Sequence, residues 1–333
     1  MDNRRIALVI IARSPLRVSL GGGGTDLPSY YREFGGFLIA AAIDKAVYVC
    51  VHYTFHNEMV LRYSRIERVQ QACEVQHPII REALHCLGIT DRNIEITSMA
   101  DVPAGTGLGS SGSFGTALLK ALHRFRNKSI TPQTLAEGAC RIEIEILNEP
   151  VGKQDQYVAA FGGINCYEFR ADGSVAVTPL NLSDDTLEKF EDRVLMFSTG
   201  IVRQAPEILK DQDDKTKKRS QEMISNLHQI KQIGYESKSV LEAGKLEDYG
   251  RLLHEHWQQK RQRSKGISNP EIDHYYEVAQ ANGAIGGKLI GAGGGGFLMF
   301  MADDPKRLRR AMATEGLSEL RFKFDFEGAR IIS

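Results

Sequence analysis

The 333-residue chain has no surplus of charge of either sign, with 42 basic side chains standing against 42 acidic ones. A protein that holds nucleic acid or an anionic membrane surface by its overall field carries a basic excess, so the net charge argues against both partners. Any anionic ligand must be held by a local site. Cysteine is sparse as well. Cys50, Cys73, Cys86, Cys140 and Cys166 form no C-x-x-C pair and no Cys/His cluster, which argues against structural zinc. An odd, scattered set reads as the reduced thiols of a cytoplasmic protein. Long hydrophobic runs are missing too. Residues 6–12 follow Arg4 and Arg5 and superficially resemble a secretory leader. Seven apolar residues ending at Arg13, with no small-residue cleavage site, fit a first strand better. No other segment approaches the ~20 apolar residues of a membrane helix. Repeats and low-complexity tracts are absent.

What remains is ordinary globular composition, 42% hydrophobic and 25% charged, in a chain long enough for two lobes. Residues 6–12, 16–20, 37–42, 47–53 and 94–98 are rich in β-branched and aromatic residues and predict strands. Helical spacing of Phe114, Leu118, Ala121, Leu122 and Phe125 predicts a helix over 110–125. A second, over 134–148, is preceded by Thr131 and Pro132 as cap and first-turn residues. The turn Ala171-Asp172-Gly173-Ser174 precedes a further strand over 175–180, and from residue 181 the chain turns helix-rich and charged. Residues 211–219 read as a solvated helix face or loop, and residues 288–290 and 297–301 as a glycine-split strand pair. The mixed order predicts an α+β fold, with lobes of residues 1–180 and 181–333.

Three glycine-rich segments stand out: Gly21-Gly22-Gly23-Gly24-Thr25-Asp26, then Pro103-Ala104-Gly105-Thr106-Gly107-Leu108-Gly109-Ser110-Ser111-Gly112, and Gly291-Ala292-Gly293-Gly294-Gly295-Gly296. The middle one runs into the helix predicted from Ser110. Unpaired N–H groups and the positive end of the helix dipole favour phosphate there. Ser110 and Ser111 add hydroxyls for phosphate oxygens or for Mg²⁺, a hard ion that prefers oxygen. The plain alternative is a turn with a serine cap. Gly107, Gly109 and Gly112, and again Gly291, Gly293 and Gly296, match G-x-G-x-x-G, a weak pattern without its context. In the first match Asp101-Val102-Pro103-Ala104 intervenes after the strand, and the region about 20 positions past Gly112 opens another helix where a dinucleotide site needs a strand ending in an acidic residue. No G-x-x-x-x-G-K-[ST] occurs. Phosphate binding survives while its two commonest architectures do not.

For phosphoryl transfer the chain must also position a hydroxyl and neutralise the triphosphate. At 100° per residue, Leu135, Ala139, Ile142 and Ile146 share a face, with Glu143 at its border and Glu145 about 160° from Glu143. Glu143 is therefore the better metal-ligand candidate, against the alternative of a half-exposed helix residue. Asp155, in the polar cluster after Gly152, could act as a base or orient a hydroxyl, with Arg17 as a cation to keep it ionised. Equally, a lone aspartate there could be a turn residue.

Residues 13–20 through Asp26, the Pro103–Ser113 segment, and residues 288–297 resemble, in order, the three motifs of the GHMP kinases, the family of galactokinase and of homoserine, mevalonate and phosphomevalonate kinases. The resemblance spans nearly the whole chain. It implies an N-terminal lobe like the second domain of ribosomal protein S5, a ferredoxin-like C-terminal lobe, and a site between them using ATP and Mg²⁺. By the same resemblance the loop from Pro103 through Gly105, Gly107, Leu108, Gly109, Ser110, Ser111 and Gly112 would cradle the triphosphate. Ser111 and Glu143 would hold Mg²⁺, and Asp155 would be the catalytic aspartate with Arg17 beside it. Thr25, Asp26, Gly293 and Gly294 would serve the substrate. Gln154 is an extra residue between Gly152 and Asp155 relative to the mevalonate kinase pattern, and Gly112 replaces the usual Ala. The runs G-G-G-T-D-L-P, A-I-D-K-x-V-Y and V-G-K-Q-D-Q-Y most resemble the branch of bacterial D-glycero-D-manno-heptose 7-phosphate kinases and related sugar-1-kinases. That branch implies phosphorylation of an anomeric hydroxyl on a small sugar or sugar phosphate. A distal phosphate would need cations, for which Arg203 and Lys288 are the candidates, the alternative being ordinary solvent contacts. An unphosphorylated sugar such as fucose or galactose, and a non-catalytic sugar sensor, remain open. A sensor would be expected to lose Asp155 or the metal ligands, which this chain keeps. A homodimer is compatible with the sequence without being specified by it.

Overall fold

The computed structural model describes residues 9–201, 205–264 and 266–333. Its first strand, β1 (Ile10–Gly21), is a single buried strand where the sequence suggested two, residues 6–8 lying outside the described residues. Arg13 and Pro15 do not interrupt it. The Arg13 guanidinium is paired with Asp325, and the proline, which has no N–H to give, sits where a bulge shifts the register with the next strand. After α1 (Pro28–Phe34), β2 (Gly36–Tyr53) joins the two predicted strands 37–42 and 47–53 into one of 18 residues. The short β3 (Met59–Arg62), β4 (Ile66–Val69) and α2 (Pro78–Cys86) were not foreseen, and β5 (Ile94–Ala100) was. Helix α3 (Ser110–Phe125) has the predicted bounds. The second helix differs: α4 (Pro132–Cys140), capped by the Thr131 hydroxyl, passes into a π-helical segment, Arg141–Ile146. A helix, α5 (Gln154–Phe161), follows where a turn was expected, and then come β6 (Ile164–Phe169) and β7 (Val175–Pro179).

These strands form one eight-stranded sheet in the order β12-β1-β2-β5-β3-β4, with β6 and β7 beside the first half of β2. Here β12 is the short Arg330–Ile331 strand at the far end of the chain. Residues 36–43 are buried without alternation, as a strand covered on both faces must be, and α3 packs on both β1 and β2.

The rest of the chain supplies α6 (Asp184–Arg193), β8 (Val194–Ser198), α7 (Ala205–Lys217), α8 (Gln221–Glu242), α9 (Leu246–Arg263), α10 (Pro270–Ala281), β9 (Ala284–Leu289), β10 (Phe297–Ala302), α11 (Pro305–Thr314) and β11 (Ser318–Glu319). Their four strands make a second, antiparallel sheet in the order β11-β8-β10-β9, with a core that includes Phe197, Trp257, Leu298 and Phe300. The glycine-split pair is the β9–β10 hairpin. Helix α8 packs back on β1 and β2. Helix α9 lies directly on β9 because Gly286 has no side chain: a Cβ there would sit 2.1 Å from the Gly250 carbonyl oxygen. That close approach fixes where the last turns of α9 point. Among the described residues no helix is long and apolar enough to cross a membrane.

Candidate active site

The loop between β5 and α3 is closed by its own side chains. Asp101 Oδ2 accepts from the Ala46 N–H at 2.8 Å, and Thr106 Oγ1 donates to the Pro103 carbonyl at 3.0 Å. Gly105, Gly107 and Gly109 adopt φ of +80°, +83° and +79°, a region costly for any residue with a Cβ. Gly109 is the N-cap of α3 and has no side chain to cap it, and no acidic residue sits in the first turn. The first N–H groups of α3 are thus left to an outside acceptor, with roughly half a positive charge behind them. The covered Ser110 hydroxyl oxygen likewise has no partner among the described residues.

Asp155 comes to the same point from the first turn of α5. A Cβ on Gly112 would lie 2.7 Å from the Asp155 Cβ, so glycine at 112 is what allows the two helix starts to touch. Arg17 ties them together: Nε donates to Asp155 Oδ1 at 2.7 Å and Nη1 to the Gly107 carbonyl at 2.6 Å. The backbone N–H of Arg17 meets the carbonyl of buried Leu108 at 3.0 Å, anchoring the loop to β1.

Glu143 arrives through the π turn. The wider turn swings it inward from the border position that a regular α-helix predicts, so it is 3% exposed while Glu145 is exposed. Ser111 Oγ donates to one carboxylate oxygen and Gln156 Nε2 to the other, the latter at 2.6 Å. Burial pushes the Glu143 carboxyl above its ordinary value, and these two hydrogen bonds pull it back. Asp26 is also buried and raised by burial; it accepts the Gln154 N–H at 3.0 Å. Gly152 is required beside it, since a Cβ there would overlap Asp26 Oδ2 at 1.9 Å.

Residues 68–163 match the family model of the GHMP kinases N terminal domain, and residues 237–317 that of the GHMP kinases C terminal. Together the two matches take in more than half of the chain. The chain belongs to the GHMP kinases. Among individual proteins it is similar to the D-glycero-alpha-D-manno-heptose 7-phosphate kinase of Campylobacter jejuni, at 29% identity over 96% of this chain and 98% of that one. The L-fucokinase/L-fucose-1-P guanylyltransferase of Bacteroides fragilis is 27% identical over 95% of this chain and 37% of its own length. The crystal structure of a D-glycero-D-manno-heptose 1-phosphate kinase from Bacteroides thetaiotaomicron superposes with a TM-score of 0.80 at 26% identity, covering 98% of this chain and 99% of that one. As a GHMP kinase the protein is an enzyme that takes its phosphoryl group from ATP.

Arg17, Asp26, Ser111, Gly112, Glu143, Asp155 and Lys288 of this GHMP kinase all line one cleft. Pro103 lies at the exposed start of the loop. Thr25 is not in the cleft wall: it is fully buried, and its hydroxyl is shared among the backbones of Gly22 and Phe37. Gly293 and Gly294 also turn elsewhere. The first packs against Ile267, and the second donates its N–H to the Ile267 carbonyl at 2.8 Å. Gly291 and Ala292 take the cleft position instead. Arg203 lies outside the described residues.

Polar residues of this wall that the sequence reading did not assign to the site include Ser19, His256, Lys260 and Arg263. The last three recur at i, i+4 and i+7 on α9 and so share a helix face, a pattern that could have singled them out. Lys260 Nζ donates to the Leu289 carbonyl at 2.8 Å and also to that of Gly291. Arg263 reaches Gln212 Oε1 at 2.9 Å and the Gly23 carbonyl at 3.3 Å. Lys288 Nζ meets His256 Nδ1 at 3.3 Å; an ammonium only donates, so the histidine is the acceptor and is neutral. Burial, then the neighbouring positive charges, hold Lys260 and Lys288 well below the ordinary lysine value and His256 well below the ordinary histidine value.

Proposed function

We propose that this GHMP kinase transfers the γ-phosphoryl group of ATP to the anomeric hydroxyl of a sugar phosphate. The substrate is D-glycero-D-manno-heptose 7-phosphate, the product is the 1,7-bisphosphate, and the purpose is to supply nucleotide-activated heptose for surface polysaccharide. The observation that carries the reaction is the junction of Arg17, Asp155 and Gly112 at the uncapped start of α3. A triphosphate held by those N–H groups would have its terminal phosphorus beside Asp155, a carboxylate of the cleft wall that is ion-paired to Arg17 and still 31% exposed. The sugar phosphate identity is supported by similarity over nearly the full length to two heptose phosphate kinases.

In this reading the 103–112 loop and the α3 N–H groups hold the triphosphate, and Arg17 keeps Asp155 ionised. Asp155 orients the acceptor hydroxyl and takes its proton. Asp26 accepts hydrogen bonds from the sugar. Mg²⁺ fits the chemistry of Ser111 and Glu143, since Glu143 is a buried carboxylate whose partners are only a hydroxyl and an amide. A hard cation held by one or two protein oxygens plus phosphate oxygens is the usual Mg²⁺ arrangement, and the bound ion would neutralise charge on the transferring phosphate. Residues 1–180 would form the N-terminal, ATP-binding lobe and 181–333 the C-terminal lobe, whose last strand, β12, joins the first sheet. The free state of all five cysteines fits a reducing cytoplasm.

The test is ADP release from MgATP across a panel of sugars and sugar phosphates. Turnover is expected with the heptose 7-phosphate and is expected to fall roughly 1,000-fold in Asp155→Asn, the usual range for losing a general base. Turnover on fucose or galactose instead would keep the reaction and reject the acceptor.

A further inference from the structure

The four basic residues at the floor of the cleft have no counterpart in what the transfer step requires. Lys260 (6% exposed), Lys288 (2%) and His256 (2%) are buried there with partly buried Arg263. Among the described residues, no carboxylate pairs with either lysine: Lys260 meets two carbonyls and Lys288 a neutral imidazole. Asp155 is committed to Arg17, and Asp26, which accepts the Gln154 N–H and keeps acceptor capacity, acts on Arg263 and not on either lysine. Buried ammonium groups without an anion are costly, and a fold keeps them where an anion will arrive. A second observation points the same way. Ser19 lines the cleft, is 8% exposed, and its hydroxyl has no hydrogen-bond partner among the described residues. On β1 it follows Arg17 by two residues, so it emerges on the same face roughly 7 Å further along. Arg17 marks the reacting end of the cleft through Asp155, and Ser19 therefore marks a point about one sugar ring away from it.

We propose that Ser19, His256, Lys260, Arg263 and Lys288 form the subsite for a phosphate already present on the acceptor, at the end remote from the hydroxyl that is phosphorylated. The proposal rests on the sugar phosphate reading above and adds which residues select for it. Lys288 supplies two donors not used by His256, Lys260 supplies its third, and Ser19 supplies its hydroxyl. Arg263 lends charge while holding the Gly23 carbonyl, which keeps the first glycine segment against this floor.

The experiment compares kcat/KM for D-glycero-D-manno-heptose 7-phosphate and for unphosphorylated D-glycero-D-manno-heptose, in wild type, Lys288→Met and Ser19→Ala. The ratio of the two values is expected to fall about 100-fold in Lys288→Met and about 10-fold in Ser19→Ala, the range for hydrogen bonds to a charged group, with the change residing in KM for the phosphorylated sugar. Equal losses on both acceptors, or an unchanged ratio in both variants, would overturn the subsite. If Lys288→Met does not fold, Ser19→Ala and the protection of wild type by inorganic phosphate against melting carry the test. Absence of phosphate protection in wild type together with an unchanged ratio in Ser19→Ala overturns the subsite as well. Wild type that turns over neither heptose rejects the sugar phosphate reading itself, whereas turnover of the 7-phosphate with unchanged ratios rejects only the subsite.

Discussion

Two glycine segments, 103–112 and 291–296, look alike on paper and even match the same spaced pattern, yet they use glycine for different ends. In the first, left-handed glycines bend the backbone so that the start of α3 stays uncapped, and Gly112 admits Asp155. In the second, the missing side chains are consumed by packing. A Cβ on Gly291 would lie 2.6 Å from the Gly107 Cα, on Gly296 2.2 Å from the Thr106 carbonyl oxygen, and on Gly295 2.4 Å from the Ile201 carbonyl oxygen. The second segment is the bed on which the first lies. Clustered glycine announces a close approach without saying whether a ligand or another stretch of backbone is the thing approached.

The contrast can be broken most sharply at Gly112. Gly112→Ala should displace Asp155 and slow kcat by roughly 1,000-fold, close to the loss of the base and out of proportion to the stability it also loses by crowding α5. Gly296→Ala should do the reverse. Its φ of +98° and its contact with Thr106 predict a loss of about 3 kcal/mol of stability. A melting temperature lowered by roughly 6 °C would report it, with only a few-fold drop in kcat/KM. If both substitutions lowered rate and stability in the same proportion, the two segments would not differ as described. Glu143→Gln probes the metal side of the first segment: the Mg²⁺ concentration for half-maximal activity should rise about 30-fold. No change in Mg²⁺ dependence would remove Glu143 from that role.

The smallest effect expected is in pH. Burial lowers the proton affinity of Lys260 and Lys288, so between their folded values and the ordinary lysine value the unfolded chain holds more protons. Their contribution to stability therefore rises with pH across that window. A bound phosphate reverses the sign by drawing protons back. Arg17 from β1, Asp26 from the loop after it, Asp155 from α5 and Arg263 and His256 from α9 face the same space, and Arg263, which burial lowers to about 10, gives up its charge at the top of the same window. Protection by inorganic phosphate against melting should accordingly shrink as pH rises; constant protection would show that the lysines do not meet the anion.

Much of the first lobe was legible because its signals are local. Thr131 and Pro132 announce α4, and the helical spacing from Phe114 to Phe125 announces α3. Glu143, picked out over Glu145 as the metal-ligand candidate, is the buried one of the two, although its orientation depends on a π turn that no 3.6-residue spacing encodes. Asp155 was singled out as a base or hydroxyl-orienting residue with a turn residue as the alternative, and its place in a helix was missed because α5 is short and its N-cap, Lys153, makes no side-chain cap to signal a start. The basic residues of α9 were lost for another reason. Lys260, Arg261 and Arg263 at a helix C-terminus look like solvated charge suiting the dipole. Only the Gly250–Gly286 approach, between distant segments, turns two of them into the cleft. Thr25 was placed with the substrate because its burial depends on the backbone of Phe37, twelve residues further along the chain at the start of β2.

The closing stretch of chain has a consequence for synthesis. β12 lies along the outer side of β1 through the pairs Ala12↔Ile331 and Arg13↔Arg330, and Arg13 meets Asp325 across 312 residues of sequence. While the polypeptide emerges from the ribosome, β1 must wait with one edge unpaired and with its arginine lacking a counter-ion until those residues have been made. Contacts this remote are slow to form, and an open strand edge invites pairing with other chains. A nascent chain arrested short of residue 325 is thus expected to be aggregation-prone, and the arrival of residues 325–331 is the event that covers the outer edge of β1.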